Sequence, residues 1–193
     1  MRLPRPLSFS HPVGTRRPGF DRAIQLLRDG RVNESAYGQR VALLLTIPVV
    51  DDPVARDIRR TTAGELYVVR TVWQRAGDLG TPRPPRVPSM IGRPLALGID
   101  APLKPTLVST QVPVDVRVLE GLLDTLDTIT VACRARQAEP PLDATVVELT
   151  LGDELAETRY RWDGDPPDGW DALATFTTRL LRLVDDTPGA RHR

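Results

Sequence analysis

The stretch DATVVELTLGDELAETRYRWDGDPPDGWDALATFTTRLLRLVDD, residues 143–186, decides the fold. Thr145, Val147, Leu149 and Leu151 fall on one face of an extended segment. Ala156, Thr158, Tyr160 and Trp162 fall on one face of a second. A period of two, built from β-branched and aromatic residues, predicts a hairpin over residues 143–163. A two-residue Gly152-Asp153 turn would set Glu148 opposite Glu157. A four-residue loop over 152–155 keeps the same faces and sets Glu148 opposite Arg159, so cross-strand charge favours the longer loop. Pro166 and Pro167 then fix the approach to a helix opening at Asp168, with Asp171 in its first turn at the positive end of the dipole. Leu173, Phe176, Leu180, Leu183 and Val184 form its buried stripe, joined by Trp170, and the helix ends before Pro188-Gly189.

Working upstream, Asp115 caps a helix to about residue 127, with Val116, Leu119, Leu122, Leu123 and Leu126 on one side. Gly121 inside it marks a point of close packing. Residues 129–135 read as a short strand, and 106–112 as another. Residues 65–74 are rich in β-branched and aromatic side chains with both faces largely apolar, which places them centrally in a sheet. Asp51-Asp52-Pro53 has the chemistry of a helix opening and predicts a helix to about Arg60. Residues 34–50 are apolar on both faces and fit a buried strand or a buried helix equally. Residues 20–28 form a short helix with Ile24 and Leu27 on one face and Gly30 at its C-terminal cap.

The fold class expected is therefore α+β. A mainly antiparallel sheet contains residues 65–74, 106–112, 145–151 and 156–162, and helices 115–127 and 168–185 pack on one face. Residues 1–19 form an extended basic, proline-rich arm, 20–187 a single domain, and 188–193 a C-terminal tail. Within the domain, residues 79–105 carry Pro82, Pro84, Pro85, Pro88, Pro94, Pro102 and Pro105. Such a segment cannot sustain a hydrogen-bonded ladder and reads as a long surface loop.

Composition narrows the function classes. The chain has 193 residues, 40% hydrophobic and 26% charged, with net charge +1, so it can bury a core and has no global field drawing it to nucleic acid or membrane. Lys104 is its only lysine among 26 basic residues. That bias fits the codon usage of a GC-rich bacterium better than a dedicated arginine surface. A single cysteine, Cys133, excludes an internal disulfide and a cysteine-based zinc site. The longest apolar run, residues 41–50, is half a membrane span and is broken by Thr46 and Pro48, so a cytoplasmic protein is expected.

No phosphate-binding glycine loop, nucleophile elbow or zinc signature occurs. The acidic run at 163–169 lacks the glycine and closing glutamate of a calcium loop and reads as a solvated turn. No catalytic, cofactor or metal residue is assigned, and no cofactor is expected. The leading expectation is a non-catalytic interaction protein: an adaptor, an assembly component or an immunity-type inhibitor. Its contact residues would be Arg83, Arg86, Met90, Ile91 and Arg93 of the proline-rich loop, its partner another protein, with a homo-oligomer compatible. The alternative is a hydrolase-like enzyme drawing on Asp51 with Asp52, Glu148 with Glu157, or Asp124 with Asp127, and on arginines and Tyr37 or Tyr67. A third reading is a nucleic-acid binder using Arg2, Arg5, Arg16 and Arg17 of the arm, with Arg134, Arg136, Arg159 and Arg161 near the hairpin.

Overall fold

Four segments of β-propensity sequence pair into one sheet and recruit two more strands. The computed structural model describes residues 18–30, 38–79, 104–133, 137, 139, 143–152 and 156–186. Helix α1 (Pro18–Asp29) leads to β1 (Gln39–Ile47), β2 (Val54–Arg60) and β3 (Leu66–Trp73), then to the single turn α2 (Arg75–Asp78). Next come β4 (Leu107–Val112), α3 (Val116–Asp124) with a 3₁₀ turn (Thr125–Thr128), the hairpin β5 (Val146–Gly152) and β6 (Glu157–Asp163), and α4 (Asp171–Asp185). The order across the sheet is β4-β3-β2-β1-β5-β6, and every neighbouring pair is antiparallel. The fold is α+β.

Alternation on the central strands divides the core in two. Ala42, Leu44, Ile58, Val68, Leu149 and Trp162 face α3 and α4, where they meet Leu119, Leu173, Phe176, Leu180 and Val184. Leu43, Leu45, Ile47, Ala55 and Trp73 face the other way and are covered by Ala23, Ile24 and Leu27 of α1. The two helices expected on one face lie there, and α1 supplies the cover for the opposite face. Asp115 caps α3, its Oδ1 accepting from the backbone N–H groups of Arg117 and Val118 at 3.0 and 3.3 Å. At the end of α1, Gly30 (φ 64°) donates its N–H to the Leu26 carbonyl, closing the helix as its sequence implies.

Five expectations are corrected and one ambiguity is resolved. Residues 54–60 form strand β2, not a helix. The Asp-Pro signal is genuine capping chemistry spent elsewhere: Asp52 Oδ1 accepts from the N–H groups of Arg75 and Ala76 at the start of α2, at 2.8 and 3.4 Å. The ambiguous segment at 34–50 yields β1 over Gln39–Ile47, because two strands flank it and consume its backbone groups. In the hairpin, Gly152 pairs with Glu157, so Glu148 lies opposite Arg161, two residues beyond the expected Arg159; the faces are unchanged. Helix α4 begins at Asp171 instead of Asp168, with no side-chain cap; Trp170 precedes it and anchors to the Ala132 carbonyl through its indole N–H at 3.1 Å. Residues 129–133 are not a strand, although Ile129 and Val131 pack on the core. Gly121, finally, has open space where a Cβ would project and marks no close approach.

Candidate functional site

Chemistry-bearing side chains gather on the α1 face of the sheet. Strand pairing sets Asp57 opposite Leu43 and Glu148 opposite Leu45, so both carboxylates lie beside the apolar patch beneath α1. Glu148 is only 1% exposed. Its two oxygens accept from Arg28 of α1 at 2.8 and 2.7 Å, and Arg159 Nε lies 3.7 Å away. Arg159 also donates to the exposed Glu157 at 2.8 Å. Two forked bonds to one buried carboxylate orient α1 on the sheet. Glu148 and Glu157 do share a face, as expected. They do not form an acid/base couple, because each is held by an arginine.

The second cluster depends on an irregularity in β1. Arg40 pairs with Arg59 and Ala42 with Ile58, leaving Val41 as an extra residue. The bulge shifts the alternation by one, and Arg40 joins Asp57 and Arg59 on the α1 face. Val41 packs with the opposite core. Arg40 then donates two bonds to Asp57, both at 3.0 Å, and Arg59 donates a third at 2.9 Å. The end of α1 rests directly on this group: a Cβ at Gly30 would collide with the guanidinium of Arg40 and the carboxylate of Asp57. The Tyr67 hydroxyl accepts the Gly38 N–H at 2.8 Å beside it. Arg56, 5% exposed on the α4 face of the same central strand, forks onto Asp185.

A third cluster closes the base of the proline-rich segment. Asp78 accepts from the Trp73 indole at 2.7 Å, from the Thr106 backbone N–H at 2.6 Å and from the Thr106 hydroxyl at 2.7 Å. Gln74 N–H donates to the Thr106 carbonyl at 3.0 Å, and Arg75 Nη1 to the Pro48 carbonyl at 3.0 Å. Partial burial alone would raise the Asp78 pKa; the donors from Thr106 and Trp73 outweigh it and hold the carboxyl below its ordinary value. Trp73 is fully buried and meets Phe20 edge-on, with ring centroids 5.4 Å apart. The two ends of the segment are thus tied together on the core of the α1 face.

Of the carboxylate pairs considered from sequence, Asp52 is the α2 cap, and Asp124 and Asp127 are exposed on the outer side of α3 and its 3₁₀ turn. The acidic turn at 163–169 contributes to no group of three metal-ligating side chains among the described residues. A shallow depression of about 340 Å³ on the outer side of α4 is lined by Asp171, Ala174, Thr175, Thr178, Arg179 and Arg182, none of them a sequence candidate. Cys133 is exposed and free. Arg2, Arg5, Arg16, Arg17, Tyr37, Arg83, Arg86, Met90, Ile91, Arg93, Arg134 and Arg136 lie outside the described residues. No helix among the described residues is long and apolar enough to cross a membrane.

Sequence reasoning missed Arg28, Arg40, Asp57, Asp78 and Thr106. The bonds that matter span 120 residues for Arg28–Glu148 and 28 for Asp78–Thr106, beyond the reach of local pattern. Comparison with protein-family models, with curated proteins and with solved structures finds no match.

Proposed function

We propose that the chain is a non-catalytic protein-interaction protein whose partner-binding element is the proline- and arginine-rich segment between α2 and β4. The observation that supports this reading is the base of that segment. Asp78 takes three hydrogen bonds, two from Thr106, and Asp52 caps α2 immediately before it. Long loops on rigid bases are a common vehicle for recognition, because the scaffold has already met part of the cost of ordering their ends. The segment itself supplies the contact chemistry: Arg83, Arg86 and Arg93 for charge-assisted bonds, Met90 and Ile91 for apolar anchors, and prolines that restrict its unbound backbone.

The ion-paired carboxylates favour this reading over hydrolysis. Glu148 and Asp57 already have their oxygens engaged by arginines and serve α1 docking and strand pairing. Replacing residues 81–102 by a short Gly/Ser linker should leave the thermal transition within a few degrees of wild type, since the clamp is retained. The same variant should lose the protein that co-purifies with the wild-type chain from its source organism. Co-purification unchanged after that deletion rejects the assignment.

A further inference from the structure

The two edges of the sheet differ in the way that governs self-association. Edge strand β6 carries Glu157, Arg159, Arg161 and Asp163. Antiparallel pairing of β6 with its copy, centred on Tyr160, would set Arg159 opposite Arg161 and Glu157 opposite Asp163. Centring on Arg159 or Arg161 would set an arginine opposite itself. Each alignment opposes like charges, a common protection for an exposed edge.

Edge strand β4, Leu-Val-Ser-Thr-Gln-Val, has no charged residue, no proline and no bulge in its register with β3. The bond from Gln74 N–H to Thr106 O fixes the phase of the ladder, so residues 106, 108, 110 and 112 bond to β3. The backbone groups of Leu107, Ser109 and Gln111 therefore point outward, and no strand among the described residues pairs with them. Val108 is 37% exposed, and Val116 and Val118 at the start of the following helix are 37% and 53% exposed. An uncharged, regular edge left unpaired among the described residues is suited to strand addition.

We infer that β4 pairs with β4 of a second copy of this chain, joining two six-stranded sheets across a two-fold axis at Ser109. In that register Leu107 of each copy faces Gln111 of the other, Val108 faces Thr110, and about six backbone hydrogen bonds form with no charges opposed. The chain's own proline-rich segment is a poor occupant of the same edge, because each proline lacks the N–H that a ladder requires. The pairing uses residues 107–112, none of which belongs to the segment proposed to bind another protein, and either proposal can fail without the other.

The test is sedimentation velocity of the full chain over a concentration series, with hydrogen exchange read at the β4 amides. Wild type should form a dimer of twice 21.3 kDa, and the amides of Leu107, Ser109 and Gln111 should slow as concentration rises while those of residues 157–163 do not. Val108→Lys sets two ammonium groups beside the two-fold axis and should raise the dissociation constant by about tenfold or more. Gln111→Pro removes an outward N–H that makes no internal bond and provides a second variant should the first disturb folding. Arg161→Ala on β6 should leave the dimer unchanged. A wild-type chain that stays monomeric at several hundred micromolar (on the order of the weakest specific dimers), or a dimer indifferent to both β4 variants, overturns the inference.

Discussion

The two faces of the sheet are closed by different physics. Toward α3 and α4 the seal is apolar throughout its centre, from Leu44 and Ile58 to Phe176 and Leu180, with the Arg56–Asp185 pair at the end of α4. Toward α1 a smaller apolar patch around Leu43, Leu45 and Trp73 is bordered by buried ion pairs, Arg28–Glu148 on one side and Arg40–Asp57–Arg59 on the other. An apolar contact tolerates sliding, whereas a forked guanidinium–carboxylate pair fixes one orientation. One 12-residue helix with a narrow apolar face needs that fixing more than two helices packed against each other do.

The comparison breaks most visibly at Phe176, which is 2% exposed at the centre of the apolar face. Phe176→Ala should cost roughly 3–5 kcal/mol in urea unfolding, through lost transfer energy and a residual cavity. A loss below about 1 kcal/mol would mean that this face is not the main core. Arg28→Ala on the other face leaves the buried Glu148 carboxylate with Arg159, 3.7 Å away, as its one neighbouring cation among the described residues, and should cost about 2–3 kcal/mol. The double replacement Arg28→Met with Glu148→Met sharpens the point: it should recover most of that loss, because removing both charges removes the desolvation penalty. A double variant as unstable as the single would show that the pair contributes more than orientation.

A smaller effect is expected at Trp170, which is half-buried yet meets Tyr160 and Trp162 edge-on at 5.5 and 6.1 Å. Trp170→Ala should cost about 2 kcal/mol, less than a fully buried tryptophan would. Calorimetry on the variant decides between the two values. The smallest effect is a pH dependence from Asp78. Its folded-state pKa is lowered, so its contribution is fully present above the ordinary value of 3.8 and is lost as pH falls below it. Asp78→Asn should flatten that part of the acid-unfolding curve, and an unaltered slope would refute the role given to the three donors.

Much of the fold was legible because its signals are local. The alternation of 145–151 and 156–162, the cap at Asp115, the stripe from Leu173 to Val184 and the glycine ending α1 each reflect chain geometry within one element. Strand β2 was hidden by its charges. Arg56, Asp57 and Arg59 resemble a solvated helix face until Asp185 and Arg40 are brought against them. The site was harder still. Arg40 reaches the α1 face only because Val41 bulges, and nothing in the residues 39–42 announces a bulge.

By itself the sequence determined the α+β class, the hairpin and the presence of three helices, read over 20–28, 115–127 and 168–185, where the structure has Pro18–Asp29, Val116–Asp124 and Asp171–Asp185. Periodicity and capping act over a few residues, so the chain carries them in any context. Tertiary structure alone decided that Asp52 caps a helix 23 residues on, that Arg28 secures Glu148 across 120 residues, and that Asp78 ties Thr106 across 28. A charged side chain has no preferred partner until the sheet has assembled and removed water from around it.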